Sequence, residues 1–134
     1  MSNPIVAFQA ALMTALDDDL ELLALVQGGI FDAPPKGERP PYVTVTRHDL
    51  APRDGDAAPG WEHRVVLNAW AGEASRKAAL AIADRVLVVA LNAALDGELV
   101  VTHRRHVRTE TVIDRGTGFA RAAMELRFFT EAAA

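Results

Sequence analysis

The sequence predicts a single α+β domain over residues 1–134, in which helices cover one face of an antiparallel or mixed β-sheet. The chain is long enough for one hydrophobic core, with half of its 134 residues hydrophobic and 24% charged. Apolar residues recur at helical spacing in three regions and alternate as in strands in four others. The resulting order, α-α-β-β-α-β-β, spreads helices along the chain and pairs neighbouring strands, which is typical of α+β proteins.

The first two predicted helices follow each other closely. Asn3 can cap the first helix with its side chain, and Pro4 suits a position that needs no amide partner. Its apolar face repeats through Ile5, Phe8, Leu12 and Leu16. Asp17–Asp19 interrupt this pattern and offer carboxylates that cap a second, short helix through Leu20, Leu23 and Val26. Gly28 and Gly29 are expected to end it, because glycine readily adopts the left-handed C-cap conformation.

Two strands are predicted next, joined by a polar loop. Tyr42–His48 alternates as a half-buried strand does. Residues 49–60 read as an exposed, mobile loop rich in turn residues. The second strand spans His63–Trp70, with Val65 and Leu67 on one face and Val66 and Trp70 on the other.

The C-terminal half is predicted to be a long helix and a hairpin. The helix runs from Glu73 to about Leu95. Its core-facing stripe is Ala79, Ile82, Val86, Val89 and Ala93. The hairpin strands are residues 99–113 and 119–129, joined by a turn at 114–118. On the second hairpin strand Ala122, Met124, Leu126 and Phe128 share one face, and Arg121, Glu125 and Arg127 share the other.

The Gly- and Pro-rich segment Gly28–Val45 raises the possibility of a phosphate-binding loop, and its context excludes one. Such a loop needs glycines between a strand and the start of a helix, so that amides point at the anion. Here the glycines follow a helix and lead into a strand, and Lys36 is not followed by Ser or Thr. The segment is therefore expected to be a connection.

No residue pattern predicts catalysis, a cofactor or a metal. The chain has no cysteine. His103 and His106 would point to opposite faces of a strand, and capping explains Asp17–Asp19 better than a metal does. Ser75 sits where a helix cap is expected, without a nucleophile elbow around it. We therefore expect no enzyme. The N-terminus lacks a basic signal region, and Asp84 with Arg85 argues against a membrane span in the most apolar stretch.

Charge is distributed unevenly along the chain. Residues 1–60 carry nine acidic and four basic side chains, and residues 61–134 carry nine acidic and ten basic ones. Arginines cluster on the predicted hairpin, at Arg104, Arg105, Arg108, Arg115, Arg121 and Arg127. Because acids interleave with them and aromatic residues are sparse, paired charges, either within a sheet or across a subunit interface, fit better than a nucleic-acid groove. Of these, we predict Arg104, Arg105, Arg108, Arg121 and Arg127 as a subunit interface.

The order of motifs resembles the tail terminator, or tail-completion, proteins of long-tailed bacteriophages and gene transfer agents. The resemblance covers most of the chain. It begins with the leucine pattern from Leu12 to Val26. The Gly- and Pro-rich motif follows, with Gly28, Gly29, Ile30, Phe31, Asp32, Pro35, Gly37, Pro41, Tyr42 and Val43. The remaining fragments are residues 62–72, which include Trp70, the helix pattern of residues 79–91, and residues 126–131. The arginine-dense residues 103–108 depart from the family pattern.

This resemblance implies a structural role. Similar proteins form a ring, usually of six subunits, on the end of the tail tube, where they stop its polymerisation. The implied partners are further copies of the chain, the tail tube protein and the connector or stopper protein below the portal. DNA would pass through the lumen without sequence readout, and no membrane is involved. The implied location is the head-proximal end of a virion or phage-like particle tail, assembled in the bacterial cytoplasm.

Two other readings of the sequence compete with this one. A stopper or another head-tail connector protein would also be small and ring-forming, but would not need to bind the tube. A small cytoplasmic α+β enzyme or ligand-binding domain could build a site from dispersed residues, and a small molecule would then raise its melting temperature.

Overall fold

The computed structural model describes residues 2–33, 36–37, 39–53 and 59–133 and confirms the α+β class. Three helices and five strands follow one another along the chain. They are α1 Pro4–Asp17, α2 Leu20–Leu25, β1 Ile30–Phe31, β2 Tyr42–Pro52, β3 Gly60–Trp70, α3 Arg76–Asn92, β4 Leu99–Ile113 and β5 Ala120–Ala132. The order matches the prediction except for the short β1.

The strands form one mixed sheet in the order β1-β2-β3-β5-β4. β1 runs parallel to β2, and the other neighbouring pairs are antiparallel. A strand of two residues has no alternation to detect, so β1 could not be predicted from hydrophobic periodicity. Its parallel pairing makes the sheet mixed.

The predicted loop at residues 49–60 is wrong at both ends. β2 continues to Pro52 and β3 already begins at Gly60. Asp49 lies opposite Arg64 and Ala51 lies opposite Glu62 in the register of the two strands. Cross-strand pairing therefore continues the ladder through residues whose polarity suggested a loop. Residues 54–58, the centre of the predicted mobile loop, lie outside the described residues.

Each helix begins at the predicted capping side chain. Asn3 accepts a hydrogen bond from the amide of Ile5 at 2.8 Å, Asp19 from Leu22 at 2.9 Å, and Ser75 from Ala78 at 3.1 Å. These caps satisfy amides that the first turn leaves without a helical partner. Because Ser75 fixes its start, α3 begins three residues later than Glu73, and it ends at Asn92 instead of Leu95.

The helices cover one face of the sheet, and the core lies between them. The largest fully buried side chains are Phe8, Phe128, Leu12, Leu16, Leu22, Leu67, Met124, Leu126, His63, Val26, Val43 and Val65. The other face of the sheet carries no helix of the described chain, and we call it the open face. Within the parts of the chain that the structure describes, no helix has the length and apolarity needed to cross a membrane.

Candidate assembly surfaces

The motif residues around the Gly- and Pro-rich segment form one compact unit. The Gly28 amide donates to the Pro41 carbonyl at 2.9 Å, and the Val43 amide donates to the Gly29 carbonyl at 3.0 Å. Ile30 is the register partner of Val43 in the parallel pair. The segment therefore folds back on itself and adds β1 to the sheet. Pro35 of the motif lies outside the described residues.

Glycine is required at the start of this unit. A Cβ on Gly28 would lie 2.6 Å from the Arg39 carbonyl oxygen and 2.8 Å from that of Pro41. Gly29 has φ +106°, a conformation that side chains disfavour. Aromatic residues then line the unit: Phe31 meets Tyr42 edge-on with ring centroids 6.2 Å apart, and Tyr42 lies opposite Trp70 across the sheet.

The open face presents arginines and acids in rows across the strands. One row runs from Asp49 on β2 through Arg64 on β3 and Arg127 on β5 to Arg105 on β4. The next row contains Arg47, Val66, Glu125 and Arg108. Arg105, Arg108, Arg121 and Arg127 of the predicted interface set share this face. The structure thus brings four of the five predicted arginines together.

Glu62, near the start of β3, binds two arginines of the open face. It accepts hydrogen bonds from Arg127 at 3.1 Å and from Arg64 at 3.0 Å. The hydrogen bonds from Arg127 and then Arg64 hold the pKa of this carboxyl below its usual range. Both partner arginines are thereby fixed in position, with Arg127 partly buried and Arg64 exposed.

The outer arginines of the open face have fewer constraints. Arg108 pairs with Glu110 at 2.6 Å, and both side chains are largely exposed. Arg121 lies over the Trp70 ring, 5.8 Å from its centroid. Arg105 is exposed and lies opposite Arg127 in the register. Exposed guanidinium groups next to one another favour an external anionic partner.

Arg104 differs from the rest of the predicted set, because it lies on the helix-covered face. It is opposite the buried Phe128, and its guanidinium donates to the Ala93 carbonyl at 2.6 Å and the Ala90 carbonyl at 3.2 Å. These carbonyls lie at the end of α3, where the helix leaves its own acceptors unpaired. Burial lowers the pKa of Arg104. The contacts give Arg104 a role within the chain, at the C-terminus of α3.

The sequence patterns did not predict a groove that lies between α2 and α3. It has a volume of about 470 Å³. It is lined by Glu21, Ala24, Leu25, Ala81, Asp84, Arg85 and Val88. We call it the α2–α3 groove. The signal that could have found it is the second apolar stripe of α3, at Ala81 and Val88, which is displaced from the core stripe.

Arg85 joins the two helices that form the α2–α3 groove. Its guanidinium contacts Asp19 at 2.7 Å and Glu21 at 2.6 Å. The hydrogen bond from Arg85 holds the pKa of Asp19 below its usual range. The hydrogen bond from the Leu22 amide, through which Asp19 caps α2, acts in the same direction. Asp19 and Glu21, two of the nine acidic side chains of residues 1–60, are therefore already paired within the chain.

A chain of polar side chains, buried at Thr130 and His63 and exposed at Asp32, crosses the sheet beneath α1. Thr130 Oγ1 lies 2.8 Å from His63 Nε2, His63 Nδ1 lies 2.8 Å from His48 Nε2, and His48 Nδ1 lies 3.2 Å from Gln9 Oε1. Gln9 Nε2 donates to Asp32. The Asp32 carboxylate can only accept, so the Gln9 nitrogen donates to it and the Gln9 oxygen accepts from His48. The donors then follow in one direction: Thr130 donates to His63, His63 donates to His48, and His48 donates to Gln9.

A hydroxyl beside an imidazole also resembles a nucleophile with its base, and burial excludes that role here. Thr130 is 1% exposed and His63 is fully buried, so no substrate can reach the hydroxyl. The Phe8 ring covers His63 at a centroid distance of 4.6 Å. Burial lowers the pKa of His48 and of His63 to about 4, with the neighbouring His48 adding to the effect at His63. The part of the chain from Thr130 through His63 to His48 is therefore a neutral structural network.

The histidines and carboxylates of the described residues are too dispersed to form a metal site. In residues 2–33, 36–37, 39–53 and 59–133, no three His, Cys, Asp or Glu side chains are grouped to hold a metal ion. His103 and His106 face opposite sides of β4, as predicted, because His103 lies opposite Phe129 on the open face and His106 opposite the buried Leu126.

Comparison with known proteins finds one matching family and similar solved structures. The sequence profile of the family described as "Tail completion protein gp17" matches residues 10–131. A chain from the virion of a native gene transfer agent particle has a similar structure, with a TM-score of 0.81 and 25% sequence identity, over 98% of this chain and 100% of that one.

The second structure is the gp17 protein of bacteriophage SPP1. It gives a TM-score of 0.62 and 20% identity, over 90% of this chain and 86% of that chain. At this identity the likeness concerns the fold alone. The chain matches no curated protein sequence.

Proposed function

The chain belongs to the tail completion protein gp17 family, and we propose on that basis that it is a structural component of a tailed virion or gene transfer agent particle. It caps the tail tube at the head-proximal end, stops further addition of tube protein, and offers a surface to the head connector. The observation that carries the proposal is the agreement of two findings over nearly the whole chain: the family match at residues 10–131 and the fold shared with a gene transfer agent virion protein.

The chemistry of the described surfaces supports an assembly role over catalysis. Thr130 and His63 of the polar network are closed to substrates, because both are buried. What the surface does offer is a broad charged face and an apolar groove between two helices. Such features are typical of surfaces that bind other proteins.

The proposed assembly is a ring of identical subunits, six in number by resemblance to the family. A ring requires a heterologous contact, in which one surface of a subunit binds a different surface of the next. Arg105, Arg108, Arg121 and Arg127 on the open face are proposed as part of the subunit contact. Arg104 contributes indirectly, because its contacts hold the end of α3. DNA passes through the lumen without sequence readout.

Growth of the tail tube in vitro tests the capping function. Tube protein is allowed to polymerise with and without the purified chain, and tube lengths are measured by electron microscopy. We expect the chain to bind at one tube end and to shorten the length distribution as its concentration rises. The matched control is bovine serum albumin at the same concentrations, which should leave the lengths unchanged.

The alternative connector role gives a different result in the same assay. A stopper would leave tube lengths unchanged and would show no binding at tube ends, yet would bind the connector complex. Unchanged tube lengths together with absent end binding would therefore contradict the capping proposal and favour the stopper.

A further inference from the structure

Exposed large hydrophobic side chains of the described residues fall into two groups, apart from Val6. One group is Leu20, Leu25 and Val88, on α2 and α3. The other is Val100, Val107 and Val112, all on β4. Exposed apolar residues collected on two separate elements mark two candidate contact surfaces.

The first surface, the α2–α3 groove, has an apolar floor and acidic edges. Leu25, Ala81 and Val88 supply the floor. Glu21 and Asp84 stand at the edges, while the one arginine lining the groove, Arg85, is paired with Asp19 and Glu21. Arg85 is thus neutralised within the chain, and Asp84, which is exposed, leaves the groove with acidic character.

The second surface, which we call the β4 surface, consists of Val100, Arg105, Val107, Arg108 and Val112. β4 ends the sheet order, so its outer edge has no strand partner within the described residues. Val107 lies at a register shift between His106 and Arg108, where a bulge interrupts the pairing. Exposed valines alternate here with Arg105 and with Arg108, which pairs with Glu110, so this surface is apolar and has a net positive charge.

We propose that the β4 surface of one copy of this chain binds in the α2–α3 groove of the next copy. This inference rests on the ring proposed above and assigns its subunit contact to particular residues. The net charges are complementary. The groove and the adjacent Asp19 carry three carboxylates, Asp19, Glu21 and Asp84, against Arg85, whereas the β4 surface carries Arg105 and Arg108 against Glu110. Val107 of β4 would cover the floor formed by Leu25 and Val88.

The two surfaces also agree in length where they would meet. The α3 residues that line the groove run from Ala81 to Val88, which at 1.5 Å per residue is about 11 Å. The segment from Arg105 to Arg108, at about 3.3 Å per residue, extends over about 10 Å. The central part of the β4 surface therefore matches the α3 side of the groove in length.

Symmetric contacts between these surfaces are disfavoured. Two β4 surfaces placed together would bring Arg105 and Arg108 against like charges, and two grooves would bring Asp84 and Glu21 against theirs. A contact between different surfaces leaves a pair of subunits with one free groove and one free β4 surface, each on a different subunit. Such a contact propagates until the ring closes.

Cysteine cross-linking tests the contact without native background, because the chain contains no cysteine. Val88→Cys and Val107→Cys are made singly and together. Val88 and Val107 are 46% and 41% exposed, so both substitutions leave the core intact. A short bismaleimide is applied to the purified protein and to assembled particles, and products are resolved on a denaturing gel.

The double variant should give a ladder of covalent oligomers, in particles at least, that ends at the ring. Each single variant should stay monomeric. A mixture of the two single variants should stop at dimers, because each copy then carries one reactive surface. This mixture is the matched control, since it contains the same thiols as the double variant.

Other outcomes would overturn the inference. A dimer from Val107→Cys alone would indicate two β4 surfaces in contact, and one from Val88→Cys alone two grooves. Failure of the double variant to cross-link in particles with normal, joined tails would reject this contact and leave the capping function standing. Particles whose tail length and joining do not depend on the chain at all would instead reject the proposed function.

Discussion

His63 shows how one residue ties several elements together. It is fully buried, and both ring nitrogens have partners, His48 on β2 and Thr130 on β5. Through His48 the same chain of hydrogen bonds reaches Gln9 on α1. A buried polar group with all partners in place stabilises one arrangement, because any shift leaves it unpaired. His63 therefore helps to fix how α1 sits on the sheet.

The buried histidines predict a loss of stability in mild acid. Their pKa is lowered from 6.5 to about 4 in the folded protein, so the unfolded chain binds more protons between these values. The contribution of the two histidines to stability is fully present above pH 6.5 and is lost as the pH falls towards 4. The free energy of unfolding should fall by about 1–2 kcal/mol per histidine between pH 7 and pH 5. Urea unfolding at a series of pH values measures it.

The control for this pH effect is the double variant His48→Gln/His63→Gln, which has no imidazole in the network. Between pH 7 and 5 its stability should be nearly constant. The lowered pKa values of Asp19 and Glu62 affect stability only near and below their ordinary values, 3.8 and 4.5, so they act mainly at lower pH. Equal pH dependence in the wild-type protein and the double variant would contradict the assignment to His48 and His63.

A Cβ atom added at Gly28 is also expected to lower the free energy of unfolding. In Gly28→Ala the new Cβ would collide with the carbonyl oxygens of Arg39 and Pro41, and both belong to the backbone. We expect a loss of about 1–3 kcal/mol in the free energy of unfolding. Gly97→Ala is the matched control, since its nearest neighbour would be Ala11 Cβ at an ordinary 3.6 Å. Thermal unfolding of both variants decides, and equal melting temperatures would contradict the account.

At the scale of elements, β4 shows most clearly what sequence can and cannot predict. Strict alternation from Leu99 would place Arg104 on the open face and Arg105 on the covered face. The register shift between Val101 and His103 reverses this, and a second shift between His106 and Arg108 restores the original phase. A bulge depends on pairing with β5, a partner distant in sequence, so alternation along β4 alone cannot reveal it.

The side chains that cap the helices were more predictable, for the opposite reason. Asn3, Asp19 and Ser75 cap helices through amides two or three residues away, and such local contacts are visible in the sequence. The His48–His63 contact and the α2–α3 groove depend on elements that meet only in the folded chain. Periodicity therefore predicted the helices and most strands, but neither of these features.

The contacts of Arg104 predict different behaviour for two adjacent arginines. Arg104→Met leaves the Ala90 and Ala93 carbonyls at the end of α3 without their donor. We expect the free energy of unfolding to fall by about 1–2 kcal/mol. The exposed neighbour gives the control, since Arg105→Met should change it by less than about 0.5 kcal/mol. Chemical unfolding monitored by circular dichroism measures both, and equal losses would contradict the capping role of Arg104.

At the scale of the whole molecule, the two sides of the sheet carry different surfaces. The open face holds rows of arginines and acids, and the helical side carries the α2–α3 groove with its apolar floor. Two unlike surfaces on one small chain suit a subunit that contacts neighbours in a fixed direction. The family match and the likeness to a gene transfer agent virion protein give such a subunit a biological setting, the virion.

The most direct test of tail completion is electron microscopy of particles assembled without this chain, with tail length and head attachment scored together. The account predicts tubes that are overlong or ragged and are not joined to filled heads. Adding the chain back from a plasmid should restore both features. Complete particles with tails of normal length in its absence would contradict the account.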